Sequence, residues 1–390
     1  MFSRIGKAAY KADLSNTHAL MELLGHPENG LRCVHIAGTN GKGSTAHMIA
    51  SVLQCAGYRT GLHTSPHLRD FRERFRIDGQ MISEEAVTSF VERHRGDFEP
   101  IHASFFEWGV ALVLDWFRHE KTAIAVIECG LGGRLDSTNV VTPEVSIITN
   151  IGWDHADLLG DSLEKIATEK AGIIKPGIPV VIGEAHGPVA AVFRKRAQAV
   201  GAPIEFVDQQ APMPFALDLA GPHQVRNART ALAAIRHLQE NGWIITEAHI
   251  AEGLAHVQAL TGFQGRWQTI GHAPLTIADI GHNEDGLRIV QAMLGQTPHE
   301  KLHLVVGTVS DKDIDRMLET LPKDANYYFC KADVPRGLAA DILKERAEGH
   351  GLQGTSFPTV KAALTAARRE AGPRDLVLVT GSAFVVAEVV

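Results

Sequence analysis

A glycine-rich segment at residues 35–45, HIAGTNGKGST, has the residue types that bind nucleotide phosphates. It follows an apolar, strand-like run at residues 31–36 and leads into a helix-like pattern at residues 44–56. Glycines in such a loop let backbone N–H groups approach phosphate oxygens, and the helix N-terminus adds partial positive charge. Lys42 can meet the outer phosphates, and a hydroxyl group can reach a magnesium ion. We therefore predict a nucleotide-binding loop at this position.

The spacing within this loop is unusual, because Gly43 separates Lys42 from Ser44. In the general phosphate-binding pattern a serine or threonine follows the lysine directly. A P-loop GTPase or motor, acting as a nucleotide-dependent switch or binding module, would need that hydroxyl and an aspartate at a strand end. This chain has Gly43 and Glu128 instead. A switch protein is therefore the alternative from a different class, and the spacing disfavours it.

Glu128 ends an apolar run at residues 122–128 and precedes the glycine-rich sequence CGLGGRLDSTN. Ligands of open α/β folds bind beyond the carboxyl ends of the strands, so a carboxylate there is a natural magnesium ligand. The glycines do not complete a dinucleotide fingerprint, because Leu135 occupies the third glycine position. His155 follows a neighbouring strand and is a candidate second metal ligand, although an ordinary loop histidine has the same signal. On physical grounds alone, Lys170 is a surface lysine near a helix end.

Apolar runs alternate with helical patterns through most of the chain, which predicts parallel sheets covered by helices on both faces. In the first part we expect strands at residues 31–36, 60–63, 122–128, 145–149 and 179–183, and helices at 44–56, 84–94, 105–119, 163–171, 189–200 and 224–240. In the second part we expect strands at 274–279, 302–306, 327–329 and 376–380, and helices at 283–294, 314–321, 337–348 and 360–371. A chain of 390 residues is too long for one core, and the polar stretch at 261–267 marks a boundary. We predict domains at residues 1–263 and 268–390.

Composition narrows the functional class. The net charge of −7 argues against nucleic-acid binding, which needs a basic face. The four cysteines are scattered without metal-ligand spacing, so buried, reduced thiols are expected. We find no leader-like N-terminus and no apolar run long enough to cross a bilayer, so a cytoplasmic protein without a membrane partner is expected.

A series of motifs resembles one enzyme family. GTNGKGST, TSPHL, IECGLGGRLDSTN, DHADLLG, EKAGIIKPG, GPHQVRNARTAL, GRWQ, DIGHN, SDKD and TGSAFVVAEV occur in the order seen in folylpolyglutamate synthase and dihydrofolate synthase, which belong to the Mur ligase superfamily. The resemblance covers nearly the whole chain, and a glycine between the lysine and serine is a mark of the family. It implies an α/β protein with a P-loop-containing, Mur-ligase-like N-terminal ATPase domain built on a parallel sheet. A smaller Rossmann-like α/β domain for glutamate ligation would follow.

The resemblance also implies roles in nucleotide and metal binding. The ATP phosphates would contact Thr39, Asn40, Gly41, Lys42, Gly43 and Ser44. Three further residues would contact the nucleotide: Asn227, Arg266 and Asp279. Because Arg266 and Asp279 flank the domain boundary, ATP would lie between the domains. Magnesium would be held by Ser65 and Glu128, with His155 joining Glu128 at a second ion.

Further matches concern catalysis and the acid substrate. Lys170 matches a lysine that is carbamylated in this family, and His282 matches a histidine near the incoming glutamate. With Lys42 and His155 they form the implied catalytic set. The pterin-containing substrate would lie against Ser104, Phe105, Phe106, Glu107, Leu135, Asp136 and Ser137.

The implied reaction is ATP-dependent joining of L-glutamate to dihydropteroate, to the tail of a reduced folate, or to both, through an acyl phosphate. The sequence leaves these options open, and a monomer is expected. Another Mur-ligase-type amino-acid ligase is the nearest alternative, but the cell-wall enzymes have a separate N-terminal domain for a UDP-sugar, and only about 37 residues precede the loop. A non-catalytic relative is disfavoured by the intact lysine and metal residues.

The segment TSPHLRDFRERFRIDG contains four arginines, Arg69, Arg72, Arg74 and Arg76. We interpret them as a solvated basic face rather than as a track for a polyglutamate tail.

Overall fold

The computed structural model describes residues 13–153, 156–281, 284–310 and 314–390. The chain forms two compact units. The first comprises the residues up to Asp218 together with Pro222–Phe263, and the second comprises Leu219–Gly221 with Gln264–Val390. All four cysteines are free thiols, and Cys33, Cys129 and Cys330 are buried, as expected from the sequence.

The first unit contains an eight-stranded sheet and its covering helices. Its strands are β1 (Cys33–Ala37), β2 (Thr60–His63), β3 (Phe75–Ile77), β4 (Gln80–Met81), β5 (Ile124–Glu128), β6 (Val145–Ile148), β7 (Val180–Ile182) and β8 (Ile204–Phe206). Its α-helices are α1 (Ser15–Leu23), α2 (Lys42–Cys55), α3 (Glu84–Phe98), α4 (Phe105–His119), α5 (Ala156–Leu159), α6 (Leu163–Lys170), α7 (Gly187–Val200), α8 (Pro222–Glu240), α9 (Glu247–Ala255) and α10 (Val257–Thr261). Short 3₁₀ helices lie at Phe71–Arg74, Glu99–Ile101, Ser137–Val140 and Ala171–Ile173.

The strand order of this sheet places the phosphate loop between two other strand ends. The order is β4-β3-β2-β5-β1-β6-β7-β8, and only β3 and β4 run antiparallel to their neighbours. β1 lies between β5 and β6, with Ile36 paired to Glu128 and Ala37 paired to Ile148. Since the carboxyl ends of parallel strands meet at one sheet edge, the loop after β1 lies beside the segments that follow β5 and β6.

Helices cover both faces of the central strands, so every residue of β1, β5 and β6 is buried. On one face there are two apolar clusters. One includes residues of β1 and β5 together with α1, α3 and α4, and the other includes Ala37 of β1 together with α6 and α7. On the other face, α2 contacts β5, and α8 contacts β6 and β7. Burial on both faces explains the continuous apolar runs that identify these strands in the sequence.

The second unit is a smaller α/β layer structure. Its strands are β9 (Gln268–His272), β10 (Leu275–Ala278), β11 (Leu302–Val306), β12 (Asn326–Cys330), β13 (Gly354–Phe357) and β14 (Leu376–Thr380). Its helices are α11 (Glu284–Gln296), α12 (Ile314–Glu319), α13 (Ala340–Gly349), α14 (Val360–Glu370) and α15 (Ala383–Ala387). The sheet order is β13-β12-β11-β14-β10-β9, with only β9 antiparallel. One core lies against α11, α12 and α13, and the other against α14 and α15.

The predicted fold class is confirmed, with differences at the sheet edges. Each predicted strand and helix is present within a few residues, and 60–63, 105–119, 302–306 and 376–380 have the predicted bounds. The prediction missed β3, β4, β8, β9 and β13. Of these, β4, β8, β9 and β13 are edge strands, and β3 lies next to an edge. All five are short or partly exposed, so they lack the continuous apolar run that marks a buried strand.

Within the part of the chain that the structure describes, none of the helices combines the length and the apolar composition that crossing a bilayer requires.

Candidate active site

The phosphate-loop candidate is a tight turn fixed on the end of β6. Gly41 has a φ of 81° and precedes Lys42, the first residue of α2. The backbone N–H of Thr39 donates to the Asn150 carbonyl at 3.0 Å, and that of Asn40 donates to the Asn150 side-chain oxygen at 2.9 Å. The Thr149 hydroxyl donates to the Asn40 carbonyl at 2.6 Å. The loop is therefore held in shape by residues about 110 positions away, which the sequence did not identify.

Two lysines converge on the start of this loop. Nζ of Lys42 donates to the carbonyls of Gly38 and Thr39 at 3.0 and 3.1 Å. Nζ of Lys170 donates to the same Gly38 carbonyl at 2.8 Å. Lys170 is the last residue of α6 and is only 3% exposed. The structure thus contradicts the physical reading of Lys170 as a surface lysine and places it with Lys42.

Glu128 faces the same loop from the end of β5. It is only 4% exposed, and its Oε2 accepts a hydrogen bond from the backbone N–H of Ser65 at 3.0 Å. A methyl group placed on Gly43 would lie 3.7 Å from that Oε2. A buried carboxylate beside a serine and a phosphate loop supplies the oxygen ligands that Mg²⁺ prefers, so Glu128 and Ser65 fit the predicted metal site. The described residues contain no group of three or more His, Cys, Asp or Glu side chains arranged around a metal.

Asn227 on α8 lies directly beneath the loop. Its Nδ2 donates to the side-chain oxygen of Gln224 at 3.0 Å, and both residues are buried. A Cβ atom on Gly41 would come within 2.3 Å of the Asn227 Oδ1. The predicted nucleotide residue Asn227 therefore touches the phosphate loop, and it leaves no room for a side chain at Gly41.

Alanine substitutions at Gly41 and Gly43 of the loop should have different costs. Gly41→Ala should lower the free energy of unfolding by about 1–3 kcal/mol, because alanine is strained at positive φ and its methyl would clash with Asn227. Gly43→Ala should change it by less than about 0.5 kcal/mol, because the added methyl meets Glu128 at an ordinary contact distance. Urea unfolding of both variants measures the difference. Equal losses would contradict this account of the loop.

The segments predicted to hold the acid substrate are brought together in the first unit. Ser104 caps α4, and Glu107 forms a capping box with it, its carboxylate accepting the Ser104 N–H. The ring of Phe106 lies against Gly130, where a Cβ would come within 2.5 Å of it. Asp136 accepts hydrogen bonds from the N–H groups of Leu131 and Thr138 at 2.7 and 3.0 Å. Phe106 and Asp136 therefore shape the same loop, which follows β5.

Asp136 stabilises this loop through several hydrogen bonds. It also accepts the Thr138 hydroxyl at 2.5 Å, and it caps the short 3₁₀ helix Ser137–Val140. Burial raises its pKa, although these hydrogen bonds oppose that shift. Leu135 and Ser137 flank it, so all three predicted residues lie in one turn. The sequence prediction gave Asp136 a substrate role and missed this work within the loop.

The second unit brings Arg266 and Asp279 together. Asp279 follows β10, and its carboxylate oxygens accept the N–H groups of Trp267 and Gly281, each at 2.8 Å. Burial raises the pKa of Asp279, and the positive charge of Arg266 opposes that shift. His155 and His282, both predicted to be catalytic, lie outside the described residues.

Comparison with known families identifies the class of enzyme. Residues 36–206 match the Mur ligase middle domain, and residues 265–383 match the Mur ligase glutamate ligase domain. Together with the two α/β units and the phosphate loop, these matches define a Mur ligase-type enzyme, which is an ATP-dependent acid–amino-acid ligase.

Individual relatives show which family within this class the chain resembles. The dihydrofolate synthase/folylpolyglutamate synthase of Bacillus subtilis is 32% identical, over 98% of this chain and 95% of the relative. A probable bifunctional folylpolyglutamate synthase/dihydropteroate synthase of Haloferax volcanii is 34% identical over 97% of this chain, which spans about half (48%) of that relative. The chain belongs to the folylpolyglutamate synthase/dihydrofolate synthase family.

Solved structures agree with this assignment. The fold is similar to Escherichia coli FolC in complex with DHPP and ADP, with a TM-score of 0.89 and 31% identity over 99% of this chain and 94% of that one. A bifunctional folylpolyglutamate synthase/dihydrofolate synthase with Mn, AMPPNP and L-glutamate bound gives a TM-score of 0.85 and 31% identity over 97% and 94% of the two chains.

Proposed function

We propose that this protein joins L-glutamate to dihydropteroate, to the tail of a reduced folate, or to both, and converts ATP to ADP and phosphate. The observation that carries the proposal is the convergence of Lys42, Lys170 and Glu128 on one phosphate loop. Lys42 and the loop N–H groups give a nucleotide phosphate cationic and backbone donors, and Glu128 is a buried carboxylate that can bind a metal. The DHPP, ADP, AMPPNP, Mn and L-glutamate named in the related structures support the choice of substrates.

The chemistry follows from what a carboxylate needs in order to form an amide. A carboxylate oxygen of the acid substrate attacks the γ-phosphorus of ATP, the bond to the β-phosphate oxygen breaks, and ADP leaves. The amino nitrogen of glutamate then attacks the acyl carbon, the C–N bond forms, and phosphate departs with the C–O electron pair. The nitrogen loses a proton to complete the amide. Most of the protein's contribution to such steps is positioning and charge neutralisation.

The chain's own residues have distinct tasks in this scheme. The loop residues Thr39 to Ser44 bind the phosphates through their backbone N–H groups, and Lys42 neutralises the outer ones. Glu128 and Ser65 would hold magnesium, and His155 would join Glu128 at a second ion. Magnesium, when bound, neutralises charge that develops on the phosphate oxygens. From the family resemblance we assign Asn227, Arg266 and Asp279 to nucleotide binding and His282 to the glutamate.

The acid substrate has its own set of contacts in this proposal. Its pterin ring lies against residues 104–107, and residues 135–137 form the other wall. The capping box at Ser104 and Glu107 supports this, because it fixes the start of α4 where Phe105 and Phe106 project. A monomeric state and a cytoplasmic location stay predictions from the sequence.

We further propose that Lys170 carries a carbamate. In this reaction the neutral amine attacks CO₂, a C–N bond forms and one proton leaves. The product is an anion, which suits a side chain close to metal ions, and its remaining N–H can still donate to the Gly38 carbonyl. The near-complete burial of Lys170 supports the proposal, because burial would shield the group from water.

A phosphate-release assay tests the ligase function directly. Purified protein should release phosphate from ATP and magnesium only when both L-glutamate and a pterin acid are present. Separate assays with dihydropteroate and tetrahydrofolate show which acceptor is used. Phosphate release that needs no pterin would contradict the ligase function and favour a nucleotide-dependent switch. Turnover with a different acid would favour another Mur-type ligase.

A further inference from the structure

Arg74 is not part of a solvated basic face, and this corrects the interpretation made from the sequence. It ends the 3₁₀ helix Phe71–Arg74 and is partly buried. Its guanidinium carbon lies 5.6 Å from the centre of the Phe105 ring. Its charge interacts with that of Glu128 across the site. Arg74 thus stands between the segment proposed to hold the pterin acid and the carboxylate beside the phosphate loop.

His67 fixes the orientation of this guanidinium. The Arg74 Nε–H donates to Nδ1 of His67 at 2.8 Å. Arginine nitrogens only donate, so this contact requires an unprotonated Nδ1, and the ring proton of neutral His67 is on Nε2. His67 therefore acts as a fixed acceptor that holds one edge of the arginine.

The other edge of the guanidinium is free to bind an anion. Among the described residues, Nη1 and Nη2 of Arg74 have no hydrogen-bond acceptor and no ion-pair partner within contact distance. Burial lowers the pKa of Arg74 to about 10, which still leaves it protonated at pH 7. A planar, charged fork with unused donors matches the two oxygens of a carboxylate.

We propose that Arg74 binds the carboxylate of the pterin acid that becomes phosphorylated, and that His67 is a positioning residue for it. This inference rests on the ligase function proposed above. In that proposal the ring of the acid lies at Phe105, and its carboxylate must reach a γ-phosphate near Glu128. The carboxylate end of the acid therefore passes Arg74. The guanidinium orients one carboxylate oxygen for attack, and it stays on the other oxygen once the acyl phosphate forms. There it draws electron density from the carbon that glutamate attacks.

The test compares ligands that differ only in the carboxylate. The first ligand is the acid that the wild type turns over, either dihydropteroate or tetrahydrofolate. The second is the same molecule with its reacting carboxylate converted to a carboxamide. The dissociation constants of the two ligands are compared. The wild type should bind the acid about 10- to 100-fold more tightly, because hydrogen bonds to a charged group are strong. Arg74→Gln should bind both molecules equally, and Arg74→Lys should recover part of the preference. Arg69→Gln removes an exposed arginine of the same segment and should behave as the wild type.

Two further readouts separate substrate binding from a merely structural role. Arg74→Gln should raise the KM for the acid while the KM for ATP and the melting temperature stay close to those of the wild type. His67→Gln keeps an acceptor for Arg74 and should retain most of the preference, whereas His67→Leu should lose much of it. An unchanged preference in Arg74→Gln would overturn the inference. A wild type that turns over neither acid would overturn the ligase function instead.

Discussion

Lys42→Ala is expected to lower glutamate-dependent phosphate release by about 10³-fold or more. Lys42 opens α2, and its Nζ holds the Gly38 and Thr39 carbonyls at the start of the loop. Its removal takes a positive charge from the phosphates and loosens the turn that aims the backbone donors. Loss of a single preorganised donor at a transition state typically costs about 10²–10³-fold in rate, and this lysine supplies a full charge as well.

The fold should survive this change, because Lys42 is only partly buried and lies at a helix terminus. Its circular dichroism spectrum and melting temperature should therefore stay near those of the wild type. Lys165→Ala is the matched control, since it removes an exposed lysine of α6 that pairs with Asp161 and touches no phosphate residue. A Lys42→Ala enzyme with more than about a tenth of the wild-type rate would contradict the proposed role of the loop.

The sequence predicts the parts of the site that depend on short, local residue patterns. The phosphate loop needs only a strand, a few glycines, a lysine and a helix start, all within about 25 residues. Glu128 was predictable because a carboxylate that ends a buried strand must lie at the carboxyl edge of the sheet. Family resemblance was needed for Lys170, since a lysine near a helix end has the same local signal whether it is buried or exposed.

The parts that the sequence does not predict depend on distant contacts. Thr149 and Asn150 hold the phosphate loop only because β6 is the neighbour of β1 in the sheet, and strand order is not written in any one segment. Arg74 was misjudged for a similar reason. Four arginines in one segment suggest a solvated face, and the contact of Arg74 with Phe105 arises only after α4 has packed against the sheet.

Lys170→Met is expected to reduce kcat by about 10²–10³-fold, whichever charge the native side chain carries. If Lys170 is a cation, methionine removes a donor to Gly38. If it is a carbamate, methionine removes an anion beside the metal ions. Lys170→Glu distinguishes the two states, because glutamate restores an anion but no donor. The carbamate predicts that Lys170→Glu regains at least about tenfold over Lys170→Met.

The carbamate also predicts that the wild-type enzyme depends on dissolved CO₂. Activity should fall in degassed buffer and return when bicarbonate is added, while Lys170→Met stays unresponsive. Protein equilibrated with ¹³C-bicarbonate should show a carbamate carbon signal by NMR that is absent in Lys170→Met and retained in Lys195→Met, which changes an exposed lysine of α7. A different result would contradict the carbamate: Lys170→Met is inactive, but the wild type shows no labelled carbamate carbon. Lys170 would then act as an ammonium ion that donates to the Gly38 carbonyl. In that case Glu128 supplies the carboxylate that we propose for the magnesium site.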